Sequence, residues 1–157
     1  SDSTFVHGRL IFLNKTSFST EFFAQHSKNP FRSFLQRDVI GFGTRISLDD
    51  STKLGFGVLT EDEEDLQGIE TDTERLSMYF TDKYELAENI DLLLTAYYQP
   101  SLDETDDYKA SILTGVNFTV NENVSISLQF SSFYDSIPPE FADKQDEQIS
   151  TEFSYSF

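Results

Sequence analysis

The stretch QISTEFSYSF, residues 148–157, decides the fold class, because polar and apolar side chains alternate along it without a break. Alternation with a period of two is the pattern of a β-strand that has one polar and one apolar face. The apolar face of this strand would carry Ile149, Thr151, Phe153, Tyr155 and Phe157. The same period recurs along almost the whole chain and predicts about nine strands, each near the ten residues expected of a tilted membrane strand.

The connections between the predicted strands are alternately short and long. Short turns are predicted at residues 14–15, 49–51, 88–89 and 121–123, where Asn, Asp and Ser favour tight turns. Longer polar loops are predicted at residues 61–74, 101–107 and 135–147. This asymmetry is typical of outer-membrane barrels, which have short periplasmic turns and longer external loops. The first segment, residues 5–13, is the least regular of the predicted strands.

Composition restricts the other possibilities. The chain has 157 residues, enough for one domain, and no domain linker or internal repeat is evident over residues 1–157. No run approaches the roughly 18 apolar residues that a membrane helix needs, so a membrane-spanning form has to be a closed barrel. The absence of cysteine excludes thiol catalysis and zinc–thiolate sites. A net charge of −17, with only 11 scattered Lys and Arg residues, argues against nucleic acid as a partner. No cofactor is expected.

Alternation alone does not distinguish a membrane barrel from a soluble barrel with an apolar interior. The polar faces mix both signs of charge with Ser, Thr, Gly and Asn, which suits a wet lumen better than a surface. The candidates for lumen-facing charges are Arg9, Glu21, Arg37, Arg45, Arg75, Asp91, Lys109 and Glu152. Tyr84, Tyr98, Tyr108 and Tyr155 lie near strand ends, where aromatic girdles form. We therefore predict an all-β, antiparallel up-and-down transmembrane barrel in the bacterial outer membrane.

The C-terminal strand bears on assembly. Its aromatic face, Phe153, Tyr155 and Phe157, resembles the segment by which outer-membrane proteins are recognised for insertion. The expected partners are thus the assembly machinery, membrane lipid and lipopolysaccharide. If this strand ends at the periplasmic side, nine strands place Ser1 outside, whereas single-chain bacterial barrels have even strand numbers. We expect an odd number of further strands before Ser1; the alternative is that the weak first segment is no strand and the count is eight.

A family resemblance supports this interpretation. The element Tyr134-Asp135-Ser136-Ile137-Pro138-Pro139, followed by Asp146 and by Tyr155-Ser156-Phe157, resembles the end of a family of putative salt-induced outer-membrane proteins, the YdiY-like domain of unknown function. Two further stretches resemble the family, Arg37 with Gly41-Phe42-Gly43-Thr44-Arg45, and Tyr97-Tyr98-Gln99-Pro100. The resemblance implies about twelve strands in all and a link to envelope or osmotic stress. It brings no catalytic residues.

Three features outside this pattern have an ordinary explanation beside a functional one. The acidic residues of 61–74 could bind Ca²⁺ or Mg²⁺ shared with lipopolysaccharide phosphates, yet they lack the spacing of a calcium loop and suit a solvated surface. Pro138 and Pro139 could belong to a functional loop, but they also stiffen a strand exit. His7 and His26 have no nucleophile placed beside them, so no enzyme is predicted.

The state of the lumen is left open by the sequence. Arg9, Arg37, Arg45, Arg75 and Lys109 could form a basic ladder that selects anions. They could equally pair with Glu21, Glu61, Asp91 and Glu152 and fill the interior together with Phe23, Tyr79, Leu93, Tyr97 and Leu113. Inward glycines at 41, 43, 55 and 57 would remove volume or let the wall curve tightly. The functional prediction is a passive narrow pore or a structural barrel; the alternative is a surface protein whose acidic loops bind cations or a partner.

Overall fold

The structure is a computed structural model that describes residues 4–15, 17–29, 34–139 and 142–155. Within these residues nine strands form one antiparallel sheet in which every strand pairs with its neighbours in sequence. The strands are β1 (Thr4–Lys15), β2 (Phe18–Asn29), β3 (Phe34–Ser47), β4 (Lys53–Asp65), β5 (Glu70–Ala87), β6 (Ile90–Pro100), β7 (Tyr108–Asn121), β8 (Val124–Asp135) and β9 (Gln145–Tyr155). The predicted all-β, up-and-down fold is confirmed, with β1 and β9 at the two ends of the strand order.

The period-two pattern fixes which side chains share a face. Arg9 is paired with Phe23, Phe23 with Gly41, and further along the sheet Tyr79 is paired with Tyr97. Paired residues lie on the same side of a sheet. Away from the strand ends, odd-numbered residues of β1–β8 and even-numbered residues of β9 therefore share one face. We call it the inner face, and the opposite one the outer face.

Burial shows that the inner face is the polar one. The charged residues Glu21 and Glu61 are each only 2% exposed and Arg75 is 3% exposed. On the outer face Phe42 is 54% exposed and Ile149 is 72% exposed. Water-soluble proteins bury apolar side chains and expose charged ones, so the exposure pattern of this sheet is reversed.

Turn chemistry explains where the strands end. Asp49 accepts hydrogen bonds from the backbone N–H groups of Ser51 and Thr52 at 2.8 and 2.7 Å, and so closes the turn between β3 and β4. Such Asx turns satisfy backbone groups that leave the ladder. The same arrangement occurs after β4 at Asp65, after β7 at Asn121 and after β8 at Asp135.

One predicted loop is wrong. Residues 61–74 were expected to form a long external connection, but β4 continues to Asp65 and β5 begins at Glu70. The side chains of this acidic run still alternate between the two faces, and Glu61 and Glu63 on the inner face have cationic partners, so β4 continues through them. The third predicted loop is also shorter, because β9 begins at Gln145. The first segment, by contrast, forms a full strand of 12 residues.

The described residues contain no helix with the length and hydropathy needed to cross a membrane.

Candidate functional site

The charged side chains of the inner face form two clusters. The Glu21 cluster consists of Arg9, Glu21, Arg45 and Tyr79. The Glu61 cluster consists of Arg37, Glu61, Glu63, Arg75, Asp107, Lys109 and Asp135. The five cations predicted to face the lumen all belong to one of them and each is paired with a carboxylate. Ion pairing is thus the arrangement found, rather than a ladder of free cations.

In the Glu21 cluster one buried carboxylate lies between two guanidinium groups. Glu21 Oε2 is 3.6 Å from Arg9 and 3.3 Å from Arg45. Arg45 Nε also donates a 2.7 Å hydrogen bond to the hydroxyl oxygen of Tyr79. The Arg9 guanidinium lies 5.6 Å from the centre of the Tyr79 ring, within range of a cation–π interaction. Tyr79 thus connects β1 and β3 to β5 across the intervening strands.

Glycines on β3 and β4 make room for these aromatic rings. A Cβ atom on Gly41 would lie 2.3 Å from the Phe23 ring, and one on Gly55 would lie 1.9 Å from the Tyr79 ring. Gly43 and Gly57 are paired with each other, and a Cβ atom on either would meet the opposite backbone at 2.5 Å. The Phe23 and Tyr79 rings therefore occupy the volume that Gly41 and Gly55 leave free, and two backbones come close at Gly43 and Gly57.

The Glu61 cluster lies towards the end of the sheet that carries the longer connections. Glu61 is in contact with cations from three strands: Arg37 on β3, Arg75 on β5 and Lys109 on β7. The Nε of Arg37 donates to Glu61 at 2.7 Å, and Lys109 Nζ donates to it at 2.6 Å. Charge-assisted hydrogen bonds of this kind are stronger than neutral ones. The long side chains of the cluster are therefore held in fixed positions.

Two further carboxylates extend the cluster. Arg75 makes a two-pronged contact with Asp107, at 3.1 and 2.8 Å, in the connection between β6 and β7. Lys109 lies 3.6 Å from Asp135 at the end of β8. A continuous series of ion pairs therefore runs from β3 to β8. Sequence reasoning missed Asp107, Asp135 and Glu63 as lumen-facing charges, because all three fell in predicted loops. The available signal was their odd residue numbers, which match the odd-numbered residues of the inner face.

Beside the cluster is a cavity of about 400 Å³. Its lining includes loop residues such as Ile69, Ser101 and Pro138 as well as strand residues. Among the described residues, seven acidic residues of the inner face and the loops line it, against the two cations Arg75 and Lys109. The seven are Glu61, Glu63, Asp65, Asp103, Glu104, Asp107 and Asp135. The mouth of the inner face is therefore negatively charged, which attracts cations and repels anions.

The remaining predicted positions lie apart from the two clusters. Asp91 forms a 3.1 Å ion pair with Lys83, whose side chain is more than half exposed. Glu152 accepts a 3.2 Å hydrogen bond from Ser154 on β9. Phe153 lies on the outer face of β9 and is 67% exposed. Tyr155 is the last residue of that strand, and Phe157 lies outside the described residues, as does Ser1.

Towards the end of the sheet that carries the longer connections, the outer face bears tyrosines and aspartates instead of aliphatic and phenylalanine side chains. Tyr98, Tyr108 and Tyr134 form a row on β6, β7 and β8, with ring centres 5.6 Å apart at each step. On β3, β4 and β5 the outer face carries Asp38, Asp62 and Asp72, directly opposite one another. Within the described residues, however, no group of three or more His, Cys, Asp or Glu side chains has the geometry to hold a metal ion.

The two histidines belong to neither cluster. His26 Nδ1 is 2.6 Å from Asp38 on the outer face, and Gln36 donates to the same carboxylate. His7 is paired with Gln25 on the inner face.

Comparison with known proteins places the sequence of this chain in a family. The sequence model of DUF481, described as a protein of unknown function, matches residues 1–157. The chain belongs to this family. The resemblance noted in the Tyr-Asp-Ser-x-Pro-Pro element is thereby confirmed at the level of a family without an assigned activity. Among curated proteins, none matches this DUF481 chain.

A solved structure supports the fold of the DUF481 chain. The structure titled as the NanC porin in a rhombohedral crystal form is similar to it with a TM-score of 0.54 and 12% sequence identity. The likeness covers 98% of this chain and 74% of the porin chain. At this identity the comparison shows the fold alone: the sheet is porin-like.

Proposed function

We propose that this DUF481 chain contributes its nine strands to an outer-membrane β-barrel through which small hydrophilic solutes diffuse passively, with a preference for cations. The observation that carries the proposal is the reversed exposure of the sheet. Buried Glu21, Glu61 and Arg75 on one face and exposed Phe42 and Ile149 on the other suit a polar lumen surrounded by lipid. A porin-like fold agrees with this arrangement.

The outer face supports a position in a bilayer. Tyrosines are enriched where membrane and water meet, and the row of Tyr98, Tyr108 and Tyr134 separates the apolar part of the outer face from the polar connections. The carboxylates beyond the apolar surface, such as Asp62, would then face lipid headgroups. Under this proposal the partners are membrane lipid, lipopolysaccharide and, through the C-terminal strand, the outer-membrane assembly machinery.

The proposed preference for cations rests on the excess of acidic residues around the cavity at the mouth of the lumen. The lumen cations are neutralised by their own carboxylates, so Arg75 and Lys109 leave no excess of positive charge beside the cavity. Rings of acidic side chains favour cation passage in pores. The earlier alternative of an anion-selecting ladder therefore has less support than pairing.

Planar-bilayer recording of the full-length protein, purified from outer membranes, tests the proposal. We expect stable conductance steps and, under a KCl gradient, a reversal potential that indicates preference for K⁺. A protein that inserts and migrates in its folded, heat-modifiable form, yet gives no conductance, would contradict the pore. A preference for Cl⁻ would contradict the argument from the acidic mouth.

The link to envelope or osmotic stress is supported by the family resemblance alone. Its test is the growth of a strain lacking the gene in media of graded osmolarity, with the intact gene restored as the control. Growth identical to that of the parent at every osmolarity would remove the link and leave the pore proposal untouched.

A further inference from the structure

Lys109 joins, through ion pairs, parts of the lumen wall that lie three strands apart. Its ammonium group contacts Glu61 at 2.6 Å and Glu63 at 3.0 Å, both on β4, although Lys109 belongs to β7. Two strands, β5 and β6, lie between them in the sheet. Three strand spacings amount to roughly 14 Å along a flat sheet, and side chains that project perpendicular to such a sheet from β4 and β7 would not reach one another. The sheet is therefore curved between β4 and β7, and the ion pair crosses the concave side of that curve.

The other cations of the Glu61 cluster differ in this respect. Arg37 on β3 contacts Glu61 and Glu63 on the adjacent strand, so its ion pairs lie along the wall. Arg75 on β5 contacts Glu61 on the adjacent strand and Asp107 in the β6–β7 connection, a shorter reach along the sheet than from β7 to β4. Arg37 and Lys109 thus share the same two carboxylates and have nearly the same exposure, 19% and 17% of their side chains. They differ in whether the ion pair crosses the lumen.

The bridge is also anchored at its far end. Asp135 on β8 lies 3.6 Å from the Lys109 ammonium group, on the side away from β4. Three carboxylates from two parts of the wall consequently hold one ammonium group. Since each exposed ion pair alone is weak, the restraint depends on this convergence and on the low exposure of Glu61.

We propose that Lys109 sets the size limit of the pore, by tying β7 and β8 to β4 across the lumen, and that Arg37 does not. This inference rests on the proposed passage of hydrophilic solutes and names the residue that limits their size. When Lys109 loses its charge, the cross-lumen ion pairs are lost and larger solutes pass. When Arg37 loses its charge, the same carboxylates lose a cation, but nothing that spans the lumen is removed.

Liposome swelling with uncharged sugars of graded size tests this, because neutral solutes report width and not charge preference. The full-length protein is compared with Lys109→Gln and with the matched control Arg37→Gln. We expect Lys109→Gln to shift the cut-off to larger sugars and Arg37→Gln to keep the original cut-off. Lys109→Arg, which keeps the charge and the reach, should also keep it. Heat-modifiable migration in gels verifies that each variant is folded.

Each result decides the matter. An unchanged cut-off in folded Lys109→Gln overturns the inference while leaving the pore in place, and so does an equal shift in Arg37→Gln, since crossing the lumen would then be irrelevant. If the original protein admits no sugar or ion but Lys109→Gln does, the bridge is upheld and the passively open pore is wrong. If all inserted variants are impermeable, both proposals fail. Should Lys109→Gln not fold, Glu61→Gln together with Glu63→Gln removes both carboxylates that Lys109 reaches on β4 and must shift the cut-off in the same direction.

Discussion

The substitution Gly55→Ala tests whether the Tyr79 ring packs over Gly55. Replacing a strand glycine with alanine ordinarily stabilises a protein, whereas here the ring should make it destabilising. A Cβ atom on Gly55 would lie 1.9 Å from Cε1 of the Tyr79 ring, and ordinary contact starts at 3.4 Å. The ring has to move by about 1.5 Å, which is 3.4 minus 1.9. A displacement of this size strains the 2.7 Å hydrogen bond between Arg45 and the Tyr79 hydroxyl.

The magnitude follows from three contributions. Overpacking costs about 1–3 kcal/mol, and the lost hydrogen bond adds about 1 kcal/mol. In a strand interior alanine is otherwise about 0.5–1 kcal/mol more favourable than glycine. We therefore expect Gly55→Ala to lower the free energy of unfolding by roughly 1–3.5 kcal/mol, the net of these values.

Gly115 on β7 provides the matched control. A Cβ atom there meets only the Gln129 side chain, at 4.0 Å, so Gly115→Ala should stabilise the protein by about 0.5–1 kcal/mol. The assay is reversible urea unfolding of the protein in phospholipid vesicles, and a double-mutant cycle with Tyr79→Ala identifies the cause. Once the ring is absent, Gly55→Ala should cost nothing. If Gly55→Ala stabilises the protein as Gly115→Ala does, Tyr79 does not lie over Gly55 and the reasoning is refuted.

Two further predictions concern the outer face and a turn. Phe42→Arg should cost about 2–4 kcal/mol in vesicles if Phe42 faces the middle of the bilayer, whereas an exposed position in water would change by less than about 0.5 kcal/mol; urea unfolding in vesicles measures it. At the β3–β4 turn, hydrogen bonds from the backbone N–H groups of Thr52 and Ser51 hold the pKa of Asp49 below its ordinary value of 3.8. A carboxyl group whose pKa is lowered in the folded state stabilises the fold at pH values above 3.8, and this stabilisation is lost as the pH falls through the pKa of the folded state. Asp49→Ala should therefore lower the thermal midpoint at neutral pH but not well below pH 3.8. An equal difference at both pH values would show that the carboxylate charge plays no part.

Sequence alone predicted the faces of the strands because side-chain direction alternates with a fixed period. It therefore predicted about nine strands, whereas the family was recognised from the resemblance of particular motifs. The same alternation continues through Glu61 and Glu63, where a high density of acidic residues was interpreted as a solvated loop. Charge composition misled the prediction there, since Arg37 and Lys109 neutralise those carboxylates in the folded sheet.

The contacts between strands that are not neighbours in the sheet could not be predicted in the same way. Lys109 and Glu61 are 48 residues apart, and whether they meet depends on the curvature and register of the sheet. Those properties follow from how strands pair and from glycine positions such as Gly43 and Gly57, where the two backbones come close. The sequence identified the cations and two of their partners, Glu21 and Glu61, but it left pairing and free passage as alternatives.

The orientation of the sheet relative to lipid is the central claim, and spin labels along β8 test it most directly. The chain has no cysteine, so single cysteines place a label at one position each without further changes. The positions are Ile126, Ser127, Leu128, Gln129 and Phe130. In phospholipid vesicles we predict that labels at 126, 128 and 130 collide mainly with oxygen, which dissolves in lipid, and labels at 127 and 129 mainly with a water-soluble nickel chelate. The opposite phase would mean that the apolar face is turned inwards, and would contradict the membrane barrel and every inference about its lumen.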